Sequence, residues 1–296
     1  MTDLGPLVNT FSIVGIDPVT GDLGVAVATK YIAVGSSVPH AKPNVAAIAV
    51  QAHANPALAP KGMALLAAGQ SPADVIGALM ADDAGREYRQ LGIVDAQGRV
   101  ATYTGSLCEA WAGGRVGPCC AAQGNMLLGE STVAAMVEWF ATHDGPLADR
   151  LVDALWAGER AGGDKRGRQS SALLVVRPDA GIAVYDDNLI DLRIDSDPHP
   201  CRRLRDLLGE YYAVQIRTPR DQYLRLTEER VAQIQLALYR LGRYLGAHHG
   251  RFDDATRAAL WGFCVAENQK ERWAEDGTID PRLLNYLTEF ADWSRQ

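Results

Sequence analysis

Short apolar runs recur through the first two thirds of the chain, and they predict strands that are covered on both faces. The clearest runs are 10–16 (TFSIVGI), 23–29 (LGVAVAT) and 45–51 (VAAIAVQ). A strand with one wet face would alternate apolar and polar residues, whereas these runs are apolar at nearly every position. Further strands are predicted at 88–94, 100–104, 172–176 and 181–185.

Helical patterns lie between the two groups of strands. Ser71 followed by Pro72 and Asp74 predicts a helix start, with serine as the N-cap and proline in the first turn. Two apolar stripes with helical spacing follow, and a last helix is predicted near 202–208; the stripes are formed by Val133, Met136, Val137 and Phe140, and by Leu147, Leu151, Val152 and Leu155. Since strands covered on both sides imply stacked sheets, the expected fold class is α+β, a four-layer α-β-β-α sandwich.

The last 80 or so residues follow a different, all-helical pattern. Thr227, Asp253 or Asp254, and Asp280 before Pro281 are typical helix starts, and apolar residues with helical spacing follow each of them. The segment 215–221 (QIRTPRD) is polar and contains a proline. We therefore predict an α+β domain over 1–214, a linker over 215–221 and a small helical domain over 222–296.

Charge and cysteine usage narrow the functional classes. The chain has 296 residues and a net charge of −7, and from Tyr211 onward twelve basic residues balance twelve acidic ones. Because no basic patch with interleaved aromatic residues occurs, nucleic-acid binding is not expected. Five cysteines without a framework spacing are typical of a reducing compartment. The sequence has no evident signal peptide, membrane span, metal-ligand spacing or cofactor motif, so we expect a cytoplasmic protein without membrane, metal or cofactor.

The helical segment resembles the three-helix peptidoglycan-binding module. The residues that carry the resemblance are Val231, Gln235, Leu238, Leu241, Gly242, Tyr244, Gly250, Phe252, Asp253, Thr256, Ala259, Leu260 and Phe263, with an echo at 276–280 (DGTID). Most of these residues are needed for turns, helix starts or a small core. The resemblance therefore implies the fold, and peptidoglycan fragments as a partner rest on it alone.

Residues 10–210 resemble a bacterial family, domain of unknown function 1028, which is grouped with the N-terminal-nucleophile (Ntn) hydrolases. The matching stretches include 10–14 (TFSIV), 24–28 (GVAVA), 89–95 (RQLGIVD), 122–125 (AQGN) and 162–170 (GGDKRGRQS). The resemblance implies a hydrolase fold. It also implies hydrolysis of a small amide or peptide by a threonine, serine or cysteine whose free α-amino group is the general base.

That resemblance makes Thr10 the candidate nucleophile, because it opens the first buried strand. Nine residues precede Thr10, so its nitrogen is a peptide amide unless the Asn9–Thr10 bond is cleaved. Ser12 lies on the same face of the strand and is the second candidate nucleophile. Lys42, 32 residues after Thr10, occupies an offset at which related enzymes place a lysine that lowers the pKa of the nucleophile.

Polar residues at strand ends and in one loop are the candidate substrate-binding groups. Amides could bind a substrate or stabilise an oxyanion, and a histidine could titrate near neutrality. The two arginines of the glycine-rich loop could bind a carboxylate, with its aspartate ordering the loop or meeting an amine. These candidates are Gln51, His53, Asn55, Gln123, Asn125, Asp164, Arg166 and Arg168.

Two functional hypotheses follow from these residues. In the first, the protein is an Ntn-type amidohydrolase with Thr10 or another nucleophile such as Ser12. In the second, it is a ligand-binding or scaffold protein that keeps the fold without the chemistry, and the helical domain recruits a partner. A homo-oligomer is compatible with both hypotheses, and the state of the Thr10 nitrogen distinguishes them.

Overall fold

The computed structural model describes residues 7–181, 183, 185–215 and 218–293. The chain divides into two compact units, Met1–Leu208 and Gly209–Gln296. This division lies inside a helix, whereas the predicted linker was 215–221. Residues 216 and 217 of that linker lie outside the described residues.

The first unit is built from strands that are mostly short and apolar. They are β1 (Leu7–Val8), β2 (Thr10–Ile16), β3 (Leu23–Thr29), β4 (Pro39–Lys42), β5 (Ala46–His53), β6 (Arg89–Asp95), β7 (Val100–Thr104), β8 (Gly113–Gly117), β9 (Cys120–Gly124), β10 (Ser170–Val176) and β11 (Asn188–Ile194). The helices are α1 (Leu58–Ala67), α2 (Pro72–Asp82), α3 (Ser131–Thr142), α4 (Leu147–Arg160) and α5 (Pro200–Gln215), the last of which runs past the unit boundary.

These strands form two antiparallel sheets within the described residues. The first sheet has the order β1-β5-β6-β7, with β4 also pairing with β5. The second sheet has the order β11-β10-β3-β2-β9-β8. The protein is therefore α+β, as the sequence pattern predicts.

The two sheets share one apolar cluster. Val14 and Val27 of the second sheet and Ala47, Ala49 and Val94 of the first sheet belong to it and are fully buried. Alternate residues of β5 belong to another cluster, which includes α1 and α2; they are Ala46, Ile48 and Val50. Since consecutive side chains of a strand point to opposite faces, both faces of this sheet are covered, and this covering explains the uninterrupted apolar runs.

Helices α3 and α4 cover the other face of the second sheet. Their side chains lie so close to the strands that some strand positions have no room for a Cβ atom. A Cβ placed on Gly15 would lie 2.9 Å from the Phe140 ring, and one on Gly24 would lie 2.8 Å from Leu151. The glycines within these apolar strands therefore allow close packing of helices on the sheet.

Predicted helix starts are confirmed where a capping side chain was identified. Ser71, Thr227 and Asp253 each accept a hydrogen bond from a backbone N–H in the first turn of their helix. The strand predicted at 181–185 includes Ile182 and Val184, which lie outside the described residues; the strand that pairs with β10 is β11, farther along the chain. Helix α1 follows β5 without a capping side chain, and the sequence pattern did not predict it.

The second unit packs three helices around a small core. They are α6 (Glu228–Arg240), α7 (Asp254–Ala266) and α8 (Pro281–Trp293), and the strands β12 (Leu224–Arg225) and β13 (Thr278–Ile279) pair beside them. The buried Gln235 amide donates to Thr256 Oγ1 (2.8 Å) and to the Arg251 carbonyl (3.0 Å), and it accepts from Gly250 N (3.0 Å). Several of the residues that carry the resemblance to the peptidoglycan-binding module thus serve to hold the fold of this unit together.

A buried ion pair fixes the start of α8. The Arg272 guanidinium donates to Asp280 Oδ2 at 2.6 Å, and the two side chains are 4% and 0% exposed. Asp280 Oδ1 also accepts from Thr218 Oγ1 (2.7 Å) and from Arg282 N (2.8 Å). One carboxylate therefore ties together three separate segments of the second unit.

Replacing Asp280 by asparagine should strongly destabilise the second unit, because it leaves the Arg272 charge buried without its partner. The expected loss in free energy of unfolding is about 3–5 kcal/mol, measured by urea denaturation of a 209–296 fragment. Asp292→Asn is the matched control, because Asp292 is 67% exposed in its pair with Arg240 and such pairs contribute at most about 1 kcal/mol. Equal losses for both variants would contradict a stabilising role for the buried pair.

Candidate functional site

The chain crosses from one sheet to the other at Asn9. Leu7 and Val8 pair with His53 and Ala52 at the end of β5. One residue later, Thr10 pairs with Thr29 in the second sheet. Asn9 and Thr10 are fully buried, so the segment that precedes Thr10 closes this end of the two sheets.

Thr10 itself is held by backbone and side-chain contacts. Its hydroxyl donates to the Val8 carbonyl at 2.8 Å. Its own carbonyl accepts from Asn125 N (3.0 Å) and from Gln51 Nε2 (3.3 Å). Thr10 therefore opens the buried strand β2, as the apolar run predicts, and its nitrogen is part of a peptide bond.

The carbonyl oxygen that precedes Thr10 has two side-chain donors. Arg166 Nη2 donates to the Asn9 carbonyl at 2.8 Å, and the Thr29 hydroxyl donates to the same oxygen. Asp164 orients the arginine by accepting from its Nε (3.0 Å) and Nη2 (2.6 Å), and it also accepts from Lys30 N (3.0 Å). This geometry polarises the carbonyl of the Asn9–Thr10 bond.

Ser12 belongs to a network of buried amides between the sheets. Its hydroxyl donates to Gln51 Oε1 and accepts from Gln123 Nε2, both at 2.6 Å. All three side chains are fully buried. Because neither partner is a base, the structure does not place Ser12 next to a general base.

Gln90 joins this network to the next strands. Its Oε1 accepts from Gln51 Nε2 and from Asn125 Nδ2, each at 2.8 Å. Its Nε2 donates to the Gly124 carbonyl (2.7 Å) and to Thr104 Oγ1 (2.9 Å). Gln90 is not among the residues predicted from the sequence, although an amide inside the apolar run 89–95 is the same signal that singles out Gln51.

The Gln123 amide occupies space that glycine leaves open on the opposite sheet. A Cβ on Gly92 would lie 1.9 Å from Gln123 Oε1, which is far inside van der Waals contact. Gly92 is therefore required for the amide to cross between the sheets, and it keeps the network dense at this point.

A cavity of about 490 Å³ is bounded in part by Thr29, whose hydroxyl donates to the Asn9 carbonyl. Thr29 lines it, together with Lys30, Glu159, Lys165 and Arg168. Arg168 pairs with Glu159 (3.3 Å), whereas in the described structure the two lysine ammonium groups donate to the carbonyls of residues 168 and 110. With Glu159 and Asp164 already engaged by arginines, the cavity has an excess of positive charge.

The structure does not bring two of the predicted residues, Lys42 and Asn55, close to Thr10. Lys42 is exposed and pairs with Ala46, at the opposite end of β5 from Gln51 and about 17 Å away along the strand. The offset from Thr10 was misleading because the chain between β3 and β4 forms its own turns; Lys30 is the lysine near Thr10. Asn55 Oδ1 accepts from Ala57 N in the turn before α1, and Asn55 lines a separate cavity.

His53 lies closer, at the end of β5 that pairs with β1. Its carbonyl accepts from Arg89 (2.6 Å), its backbone pairs with Leu7, and its ring packs edge-on against Tyr88. These contacts support the edge of β5 on which β1 lies.

Cys108 and Cys201 are poorly suited to act as nucleophiles. Burial, together with the nearby Glu159 carboxylate, raises the pKa of the Cys201 thiol well above its usual value. Burial also raises the pKa of Cys108 to about 11, so both thiols stay protonated at neutral pH and are poor nucleophiles. Within the described ranges no cluster of metal-ligating side chains occurs, and no helix has the length and apolarity to cross a bilayer.

Comparisons with known proteins identify the family. Residues 10–204 match the family of unknown function DUF1028, which covers about two thirds of the chain, and the chain belongs to that family. Residues 216–287 match the model described as "Putative peptidoglycan binding domain". No curated protein matches the chain.

Two solved structures resemble the first unit to different degrees. The crystal structure of protein SPO2555 from Silicibacter pomeroyi, a DUF1028 protein, is 34% identical with a TM-score of 0.63; the match covers 69% of this chain and 86% of that one. Anbu (ancestral beta-subunit) from Yersinia bercovieri is 12% identical with a TM-score of 0.31 over 71% of this chain and 100% of that one. The second likeness is too low to carry an argument.

Replacing Gln90 by leucine should destabilise the first unit, because the buried Asn125 amide nitrogen then loses its acceptor and Gln51 Nε2 keeps only the carbonyls of Thr10 and Gln123, at 3.3 Å each. With one buried donor unpaired, the expected loss is about 1–3 kcal/mol, measured by chemical denaturation. Gln97→Leu is the control, because Gln97 is exposed and surface changes usually cost within about 0.5 kcal/mol. A Gln90→Leu protein as stable as the control would show that the network contributes little.

Proposed function

We propose that the first unit is a latent Ntn-type amidohydrolase in which Thr10 is the nucleophile once the Asn9–Thr10 bond is cut. The observation that carries the proposal is the Asn9 carbonyl, which accepts hydrogen bonds from both Arg166 and Thr29 directly before a buried threonine. Two donors on one carbonyl oxygen can stabilise the negative charge that develops there when the carbonyl is attacked.

The arrangement of sheets and helices supports this proposal. Helices α1 and α2 cover one sheet, α3 and α4 cover the other, and the two sheets face each other across a shared core. We take this order as the four-layer α-β-β-α sandwich of the Ntn hydrolases. In that fold the nucleophile opens a central strand, and Thr10 opens β2, which lies inside the second sheet.

The reaction follows from the freed terminus. Thr10 Oγ attacks the substrate carbonyl carbon while the α-amine accepts the hydroxyl proton, and Arg166 and Thr29 donate to the developing oxyanion. The C–N bond breaks, the leaving amine takes that proton, and an ester to Thr10 remains. Water then attacks the ester, the α-amine accepts a proton from the water, and Oγ regains it as the acid leaves.

The uncut chain should be inactive in this chemistry. The Thr10 nitrogen is an amide and cannot accept a proton, and the threonine is fully buried beneath residues 7–9. After cleavage, the amine would have a pKa of about 7.7–8 in the absence of neighbours. Such an amine is partly uncharged at neutral pH and can accept a proton.

The alternative, a ligand-binding or scaffold protein without chemistry, is favoured by one observation. Val8 is only 2% exposed and belongs to the core shared by the two sheets, so the segment before Thr10 is an integrated part of the fold. In that case Thr10 stays in its peptide bond permanently. The two proposals differ in what happens to the Asn9–Thr10 bond.

The second unit matches a model described as a peptidoglycan-binding domain, and we propose peptidoglycan fragments as its ligand class. The support is the family description alone, because Gln235, Gly250 and Thr256 are used by the fold. The unit would then bring the first unit to a partner.

The cavity beside Thr29 should bind a small carboxylate, because Lys30, Lys165 and Arg168 supply more positive charge than Glu159 and Asp164 balance. Crystals soaked with malonate or glutamate should show the ligand within hydrogen-bond distance of Arg168 or a lysine. Lys165→Gln should weaken binding about tenfold by removing one charge-assisted bond, as measured by calorimetry. Lys61→Gln, in a different cavity, is the control, and equal weakening by both would argue against this site.

A protein that begins at Thr10, made with a removable leader, should hydrolyse peptidyl anilides that the uncut chain leaves intact. Thr10→Ala in that protein should reduce kcat/KM by several orders of magnitude, about the loss found when other acyl-transfer nucleophiles are deleted. Thr142→Ala, on the exposed end of α3, should keep full activity.

The intact mass of the purified full-length protein shows whether the Asn9–Thr10 bond is cut before the assay. Full activity of the uncut chain, or activity that survives Thr10→Ala, would make Thr10 a structural residue and leave the binding protein as the better proposal.

A further inference from the structure

Residues 7–9 lie in the first unit as a bound peptide would lie. Leu7 and Val8 extend the first sheet by pairing with the end of β5, beyond the stretch of that edge that β4 occupies. The chain then places one carbonyl on Arg166 and Thr29 and leads into Thr10. Strand addition of this kind is a common way to bind extended peptides, with backbone bonds for affinity and pockets for alternate side chains.

The Asn9 side chain occupies a closed pocket with a clear chemical preference. It is fully buried, and its Nδ2 donates to Met126 Sδ at 3.3 Å, while Oδ1 has no partner among the described residues. An aspartate in this position would set a buried negative charge against a sulfur that can only accept. Such a charge is costly to bury without a donor, so the pocket discriminates against it.

The two residues before Asn9 contribute to the binding of the segment in different ways. Val8 fills a buried apolar position, whereas Leu7 is 36% exposed and contributes mainly its backbone. One of the two donors to the Asn9 carbonyl, Arg166, is a cation, and Asp164 holds it in place. A carboxylate product would use this cation more strongly than a neutral carbonyl does.

We infer that residues 7–9 mark the subsites for the acyl side of the substrate: an extended peptidyl group that ends in asparagine, with an apolar residue before it. The inference rests on the proposed Thr10 chemistry for its catalytic meaning. The peptide would pair with Ala52 and His53, place its carboxamide against Met126, and present its carbonyl to Arg166 and Thr29.

Binding tests the inference without any chemistry. In the full-length chain, Leu7→Gly, Val8→Gly and Asn9→Gly together remove the side chains that hold the segment, and acetyl-Leu-Val-Asn with a free carboxylate is the probe. Because a tethered segment competes at an effective concentration of about millimolar, the unaltered protein should bind the probe at least about tenfold more weakly than the triple variant, as measured by calorimetry.

The same triple variant tests the preference for asparagine and the role of the Arg166 cation. Acetyl-Leu-Val-Asp should bind at least about tenfold more weakly than the asparagine peptide, and adding Arg166→Gln should weaken the asparagine peptide by a similar factor. Equal affinity for the two peptides, or no effect of Arg166→Gln, would overturn the assignment. So would a triple variant that is folded but does not bind the probe.

Two further variants keep the result clear. Leu7→Gly with Asn9→Gly retains Val8 in the core, and it replaces the triple variant if thermal melting shows that the latter is unfolded. Adding Thr10→Ala to the triple variant should leave the affinity within about twofold, because the probe has no amide bond after its asparagine. Binding that persists alongside a failed hydrolysis assay would therefore reject the catalytic proposal and keep the peptide site.

Discussion

The whole candidate site depends on how the Asn9 carbonyl is held. The chain changes sheets at this residue, and Arg166 and Thr29 bind the carbonyl while Asp164 aligns the arginine. This one group fixes the direction in which the chain enters β2, and with it the position of Thr10. The same contacts would stabilise the carbonyl of an incoming amide substrate. One arrangement of donors therefore accounts both for the buried Thr10 of the uncut chain and for the proposed reaction.

The interior near the Asn9 carbonyl is polar because the sequence places hydrogen-bonding side chains there. Ser12, Gln51, Gln90 and Gln123 are fully buried, and they bridge the two sheets through their side chains. A network of this kind fixes the relative position of the two sheets more sharply than apolar contacts do, because hydrogen bonds are directional. Thr10 therefore begins its strand next to a part of the core that these hydrogen bonds hold in place.

Much of the fold followed from the sequence, because doubly covered strands and capping residues leave local signals. The runs at β2, β3 and β5 and the caps at Ser71, Thr227 and Asp253 are of this kind. Long-range geometry leaves no such signal. Lys42 has the expected offset from Thr10 but ends β4 and pairs with the far end of β5, and Lys30 is the nearby lysine.

The contacts of Gln123 and Gly92 also constrain how this protein can change over evolutionary time. Because the glutamine amide lies where a side chain on residue 92 would stand, the two positions cannot vary independently. A shorter residue at position 123 would have to arise before any larger one at position 92, and the reverse order passes through an intermediate with a steric clash. Among related sequences, these positions should therefore drift as a pair with a preferred mutational order.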